Sequence, residues 1–216
     1  MCEAHPIYRT TAPPVDGCFV AGTLVHTKEG LVPIEELRVG DWVLSQPELK
    51  GELVYRQVLE TFVFEDKEVC LLEYFLYDET TARSVVVTTN HLFWVKDVGW
   101  TAAGSLYEGC DLELRDGTAA CLYKVRRILK TDIPDVGWTR DDDDDKGPII
   151  DLRAGSVKVS DTFAGDVRND SAVELGEYFK TRVFNIEVDG FHTYYVGEVG
   201  VWVHNIDCRV KQALRT

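Results

Sequence analysis

The strongest constraint on the fold is a succession of short runs dense in β-branched and aromatic residues. From Tyr55 onward these read YRQVLETFVFE, KEVCLLEYFLY, SVVVTTNHLFWV and later CLYKVRRILK and RVFNIEV. Such side chains suit a pleated, half-buried surface, and none of the runs sustains a helical period. An all-β architecture follows. Single helical turns are expected only after Pro33 and within Trp100–Leu106. Near the end, FHTYYVGEVGVWVHN alternates apolar residues (Tyr195, Val201, Val203) around a turn at Gly197–Gly200, and so reads as a β-hairpin.

The 216 residues are enough for one main core. Residues 1–17 carry three of the seven prolines and no period, so they are expected to lie upstream of the fold. Residues 131–180 turn to Asp, Gly and Lys with weak periodicity, as expected of an insertion rather than a piece of the core. Within it, Asp141–Lys146 reads DDDDDK, either a solvated acidic loop or a protease site engineered for expression. The net charge of -14 stays acidic without that run, which disfavours nucleic-acid backbones. No stretch approaches the roughly 18 apolar residues of a membrane span, and Met1–Thr10 lacks the apolar core of a secretory signal. A soluble monomer is expected. Six cysteines without a C-x-x-C pair argue against a zinc site or a disulfide framework. A two-residue Asp116-Gly117 turn would set Cys121 opposite Leu112, not opposite Cys110.

Two places invite chemistry. The hairpin would hold His204 and Asn205 at a stiff strand end, and an asparagine side-chain amide can attack its own main-chain carbonyl when held in place. Far upstream, Cys18 follows Gly17 where the organised chain begins, one bond from the carbonyl that precedes it. Its thiol needs a nearby base or a distorted amide to act. His91, in Thr88-Thr89-Asn90-His91 after the strand ending at Val87, could face the same site as Thr88. Taken singly, Cys18 also fits a small buried hydrophobe, and His91 a satisfied turn residue.

Taken together, CFVAGTLVHT with GLVPIEELRVGDWVLS, then VTTNHLFWV with its T-x-x-H, then RVFNIEVDGFHTYYVGEVGVWVHN resemble the Hint superfamily. That superfamily comprises inteins, bacterial intein-like domains and hedgehog autoprocessing domains. The last segment, with Asn185 after Val183-Phe184, is most similar to Hint domains that precede the toxin module of bacterial polymorphic toxins. The resemblance covers residues 18–205 without a homing-endonuclease motif. It implies a horseshoe of short curved strands, with residues 1–17 and 206–216 as flanking segments. It also implies autocatalytic, single-turnover cleavage in cis, with no metal, nucleotide or organic cofactor. Cys18 would attack the Gly17 carbonyl and form a thioester, helped by Thr88 and His91. Asn205 would cyclise and release Ile206 onward, with His204 donating to the scissile carbonyl and His192 assisting proton transfer.

Two positions depart from splicing inteins. Ile206 offers no nucleophile where an acceptor Cys, Ser or Thr belongs, and Asn185 stands where many splicing inteins have an aspartate that titrates. Cleavage is therefore expected ahead of splicing. Splicing through Cys208, an inert Hint module serving as a spacer, and a cysteine peptidase acting in trans are the competing readings. The His204-Asn205 ending disfavours sterol transfer. IDCRVKQALRT would open a downstream effector, a toxin by resemblance. The setting implied is a reducing compartment or a secreted bacterial precursor.

Overall fold

The computed structural model describes residues 17–48, 51–140, 147–160 and 177–205. The upstream leader, the acidic run and the downstream segment with Ile206 and Cys208 lie outside the described residues. The chain forms β1 (Phe19–Val20), β2 (Leu24–Thr27), β3 (Gly30–Pro33), β4 (Trp42–Ser45), β5 (Val54–Glu68), β6 (Cys70–Leu76), β7 (Arg83–Val87), β8 (Leu92–Val95) and β9 (Gly99–Ala102). It continues through β10 (Asp111–Glu113), β11 (Ala119–Lys130), β12 (Val136–Thr139), β13 (Ile149–Asp151), β14 (Lys158–Ser160), β15 (Lys180–Val188), β16 (Thr193–Val196) and β17 (Val201–His204). Every strand pairing is antiparallel, and the all-β expectation holds.

One local plan occurs twice. A 3-10 turn at Ile34–Glu36, buried Leu37, a left-handed Gly40 and β4 are matched by a turn at Ala103–Ser105, buried Leu106, a left-handed Gly109 and β10. The turn within Trp100–Leu106 is thus shorter than the sequence suggested, because Gly99–Ala102 pairs with β8 as a strand.

Two other expectations shift in detail. Asp66 does not end its strand. β5 runs through it from the run ending at Glu65 into the one beginning at Lys67, with Asp66 at φ 59 in a bulge where the register against β15 slips between Thr181 and Val183. The hairpin after β10 has Leu114 N–H bonded to Thr118 O and Gly117 N–H to Leu114 O, with Gly117 at φ +81. This longer loop sets Cys121 opposite Asp111 and leaves Ala120 opposite Leu112, a one-residue correction to the expected register. Cys110 and Cys121 are both free thiols.

Alternation along the strands sorts side chains into separate cores. Phe19, Ile186, Val188, Phe93, Tyr194 and Val203 belong to the main cluster, while Cys18, Val20, Leu71, Val86, Ile128 and Val183 form a second. Residues 136–160 add to that second region. β12 pairs with the end of β11, β13 and β14 extend the ladder, and Ile150 joins the cluster around Cys18. Weak periodicity in this segment concealed buried positions, since each strand is only three or four residues long.

Two short elements set up the site. β1 has only two residues but is held on both edges, with Phe19 opposite Phe184 of β15 and opposite Val87 of β7. The β16–β17 hairpin turns through Gly197 and Gly200 at φ 74 and 81, values a side chain would resist. It is fixed on one side by β8, where His204 faces Leu92, and on the other by β2, where Val196 faces Val25. Trp202 of the hairpin packs with Trp94 and Trp100, at ring-centroid separations of 4.8 to 5.1 Å within the trio.

Candidate active site

The start of β1, the middle of β15 and the end of β17 converge on one buried polar group, the Asn185 side chain. Its Nδ2 donates to Gly17 O at 2.6 Å and to Asn205 Oδ1 at 2.7 Å. Its Oδ1 accepts from Ile186 N–H at 2.8 Å and from the Tyr194 hydroxyl at 2.9 Å. A backbone N–H can only donate and a backbone carbonyl can only accept, so the amide has one orientation that satisfies all four contacts. The same logic fixes Asn205. Its Nδ2 donates to Ile186 O at 2.7 Å and to Glu187 Oε2 at 2.9 Å, and its main-chain N–H donates to His192 O at 2.6 Å. Asn205 is 1 % exposed, so it is pinned in the interior rather than trailing from a strand end.

On the upstream side Thr88 grips Cys18. Cys18 N–H donates to Thr88 Oγ1 at 2.8 Å, and Cys18 O accepts from Thr88 N–H at 2.9 Å and from the Thr88 hydroxyl at 3.3 Å. The Thr88–His91 turn, closed by His91 N–H to Thr88 O, brings the imidazole onto Gly17. A methyl group placed on Gly17 would stand 2.7 Å from both His91 Cα and Nδ1. Phe19, at a ring-centroid distance of 4.2 Å, and Tyr194, at 6.2 Å, wall the ring in. Cys18 is wholly buried in the second hydrophobic cluster, while its neighbour Phe19 faces His91.

Burial pushes the His91 pKa down to about 3, against a raising contact with the Gly17 backbone. The imidazole is therefore neutral across ordinary pH, and what it can offer a reaction is a neutral donor or acceptor. Between about pH 6.5 and 3 the unfolded chain binds a proton that the folded chain refuses. Stability is thus fully present above pH 6.5 and falls as the pH drops through that window. We expect urea unfolding to report a loss of about 2 kcal/mol from this group between pH 6.5 and 5. His91→Gln should remove that slope, while the same-signed contribution of His26, whose pKa burial also lowers, remains.

His192 and His204 sit near the downstream end but face different partners. His192 Nδ1 lies 2.6 Å from Glu187 Oε1, and the residue adopts φ 56, an uncommon left-handed value for a side chain of this size. His204 packs its ring on Trp100 at 4.9 Å and places Nε2 3.0 Å from Glu48 Oε1. That contact lowers the Glu48 pKa. Thr193 secures the loop carrying Glu48 through its hydroxyl, which donates to Gln46 O at 2.6 Å.

The structure thus brings Gly17, Cys18, Thr88, His91, Asn185 and Asn205 to one place, with His192 one carboxylate away and His204 on the Trp100 side. Ile206 and Cys208 lie outside the described residues. Three participants escaped the sequence reading. Glu187 lies two residues after Asn185 on a strand, a spacing that puts both on one face and could have revealed it. Tyr194 was hidden among apolar hairpin residues, and Glu48 carries no local signal. Among the described residues no group of three or more His, Cys, Asp or Glu is arranged to hold a metal ion.

Comparison with known proteins agrees with the all-β Hint fold. A family model described as the pretoxin HINT domain matches residues 24–134. A bacterial intein-like domain from Clostridium thermocellum is 28% identical with a TM-score of 0.56, covering 87% of this chain and 98% of that one. A DnaB intein from Synechocystis sp. PCC 6803 has a TM-score of 0.54 at 15% identity, covering 88% and 99%, a likeness of fold alone. Warthog protein 6 of Caenorhabditis elegans is 32% identical over 80 residues, which span 37% of this chain and 13% of that protein. With its all-β Hint architecture and a family match across more than half its length, the chain belongs to the pretoxin HINT domain family.

Proposed function

We propose that this domain cuts its own backbone at Asn205–Ile206 by asparagine cyclisation, and activates the Gly17–Cys18 bond by an N-to-S acyl shift, so releasing a downstream effector. The carrying observation is the Asn185 amide, which donates at once to the Gly17 carbonyl and to the Asn205 side chain. In the upstream reaction the Cys18 sulfur adds to the Gly17 carbonyl carbon, and the charge developing on Gly17 O meets a donor already in place. Thr88 Oγ1 holds the departing Cys18 nitrogen, and neutral His91 stands against Gly17 to carry the proton. Downstream, the contacts on Asn205 hold its amide in a single pose, which replaces a large search entropy with a fixed approach.

Each cut happens once, in cis, and needs no cofactor. Ile206 cannot accept a thioester, so release rather than ligation is the expected outcome. The pretoxin description of the family supports a toxin as the released segment, and membership of a secreted precursor follows from the same reading. Among the described residues no helix is long and apolar enough to cross a membrane.

Incubation of the full chain at neutral pH, followed by intact mass, tests the reading. Fragments ending at Asn205 and beginning at Ile206 are expected, and a chain that stays whole or cuts elsewhere contradicts it. A second expectation concerns Gly17. A Cβ there would stand 2.7 Å from His91 Cα and Nδ1, so Gly17→Val must displace His91. Thiol-induced cleavage at 17–18 should then slow by about 10- to 100-fold with tail release preserved.

A further inference from the structure

Glu187 is a buried carboxylate whose two oxygens meet the two groups that matter for the downstream cut. β15 alternates, with Ile186 and Val188 in the main hydrophobic cluster and Asn185 and Glu187 on the other face. Glu187 is 0 % exposed. A carboxylate in such a place costs several kcal/mol unless it is paired. Oε2 accepts from Asn205 Nδ2 at 2.9 Å, and Oε1 lies 2.6 Å from His192 Nδ1. The His192 side chain keeps 29 % of its surface in contact with solvent while Glu187 keeps none, so the imidazole spans from the interior to water.

A carboxamide nitrogen is a poor nucleophile because its electron pair is delocalised, and it can close a ring only as it gives up a proton. The contact that receives that proton is already made. We infer that Glu187 is a catalytic residue of the cyclisation, the immediate acceptor of the Asn205 amide proton, and that His192, whose Nδ1–H donates to Oε1, holds the carboxylate in place for it. As Nδ2 forms its bond to the Asn205 carbonyl carbon, one of its hydrogens moves to Glu187 Oε2. The carbonyl carbon's bond to the nitrogen of residue 206 breaks, and that nitrogen keeps the electron pair and takes up one proton. The proton on Glu187 is then given up to solvent. One proton is lost and one gained, and the products are an imide and a free amine.

This inference rests on the cyclisation reading, and its test is arranged so that the two can fail separately. Wild type, Glu187→Gln and Glu187→Ala full chains are followed by intact mass for two reactions, tail release at 205–206 and thiol-induced cleavage at 17–18. Gln keeps the shape and an oxygen to hold Asn205 Nδ2 but has lost the basicity. Both variants should release the tail at least about 100-fold more slowly than wild type, with cleavage at 17–18 within about twofold. Tail release within tenfold of wild type in Glu187→Gln overturns the inference, because position alone then suffices. So does parallel loss of both reactions in Glu187→Gln, which marks a structural role. A wild-type chain that releases no tail, or releases it at another bond, fails the cyclisation reading itself whatever the variants do.

Discussion

Asn205→Ala should stop release of residues 206 onward completely, while thiol-induced cleavage between Gly17 and Cys18 continues. The alanine side chain has no nitrogen to attack the carbonyl, and no neighbouring group substitutes for it, because ring closure depends on the nucleophile and the electrophile belonging to one residue. The variant also loses buried hydrogen bonds to Asn185, Ile186 O and Glu187, at about 1–3 kcal/mol for each group left without a partner. Persistence of the upstream reaction therefore doubles as evidence that the site is still folded. Asn185 keeps its bonds to Gly17 O, Ile186 N–H and Tyr194 in this variant, so the upstream carbonyl retains its donor. Time-resolved intact mass with and without added thiol reads both reactions. Tail release from Asn205→Ala would place the downstream cut in some other chemistry.

The reciprocal substitution, Cys18→Ala, should abolish thiol-induced cleavage at 17–18 and leave tail release within a few-fold of wild type. Only sulfur can carry the acyl group of the thioester, so the loss is all or none. The cost to folding is modest. Removing one sulfur from the cluster with Val20, Leu71, Val86 and Ile150 is of order 1–2 kcal/mol. The downstream machinery touches Cys18 only indirectly, since Asn205 reaches Gly17 through the Asn185 amide. A large fall in tail release in Cys18→Ala would mean that the acyl shift must come first, as in an ordered splicing reaction. Asn185 argues against that order, because its amide links the two ends without titrating between them.

Much of this was legible in the chain itself. Period-two runs announced the strands, and the paired glycines Gly197 and Gly200 announced the hairpin that delivers His204 and Asn205. The three motifs at Cys18, Thr88 with His91, and Asn185 to Asn205 pointed to residues that prove to be neighbours. What escaped was set by packing rather than by local pattern. The runs ending at Glu65 and beginning at Lys67 share one strand yet read as two, because a polar residue in a bulge interrupts the pattern just as a strand end would. Ile150 and Trp138 are buried in a stretch too short and too polar for periodicity to register. Glu48 stands beside His204 only because Thr193 fastens its loop across the sheet. The depressed pKa of His91 depends on a ring of aromatic neighbours drawn from β1, β8 and β16, which no single segment reveals.

The central claim is that the Asn205 side chain is the nucleophile that severs the backbone. The mass of the upstream fragment at the earliest time it can be detected tests this most directly. Cyclisation predicts a fragment ending at Asn205 that is one water lighter than the hydrolysed form and gains that water only later, as the imide opens. A fragment that carries the full hydrolytic mass from its first appearance would contradict the account.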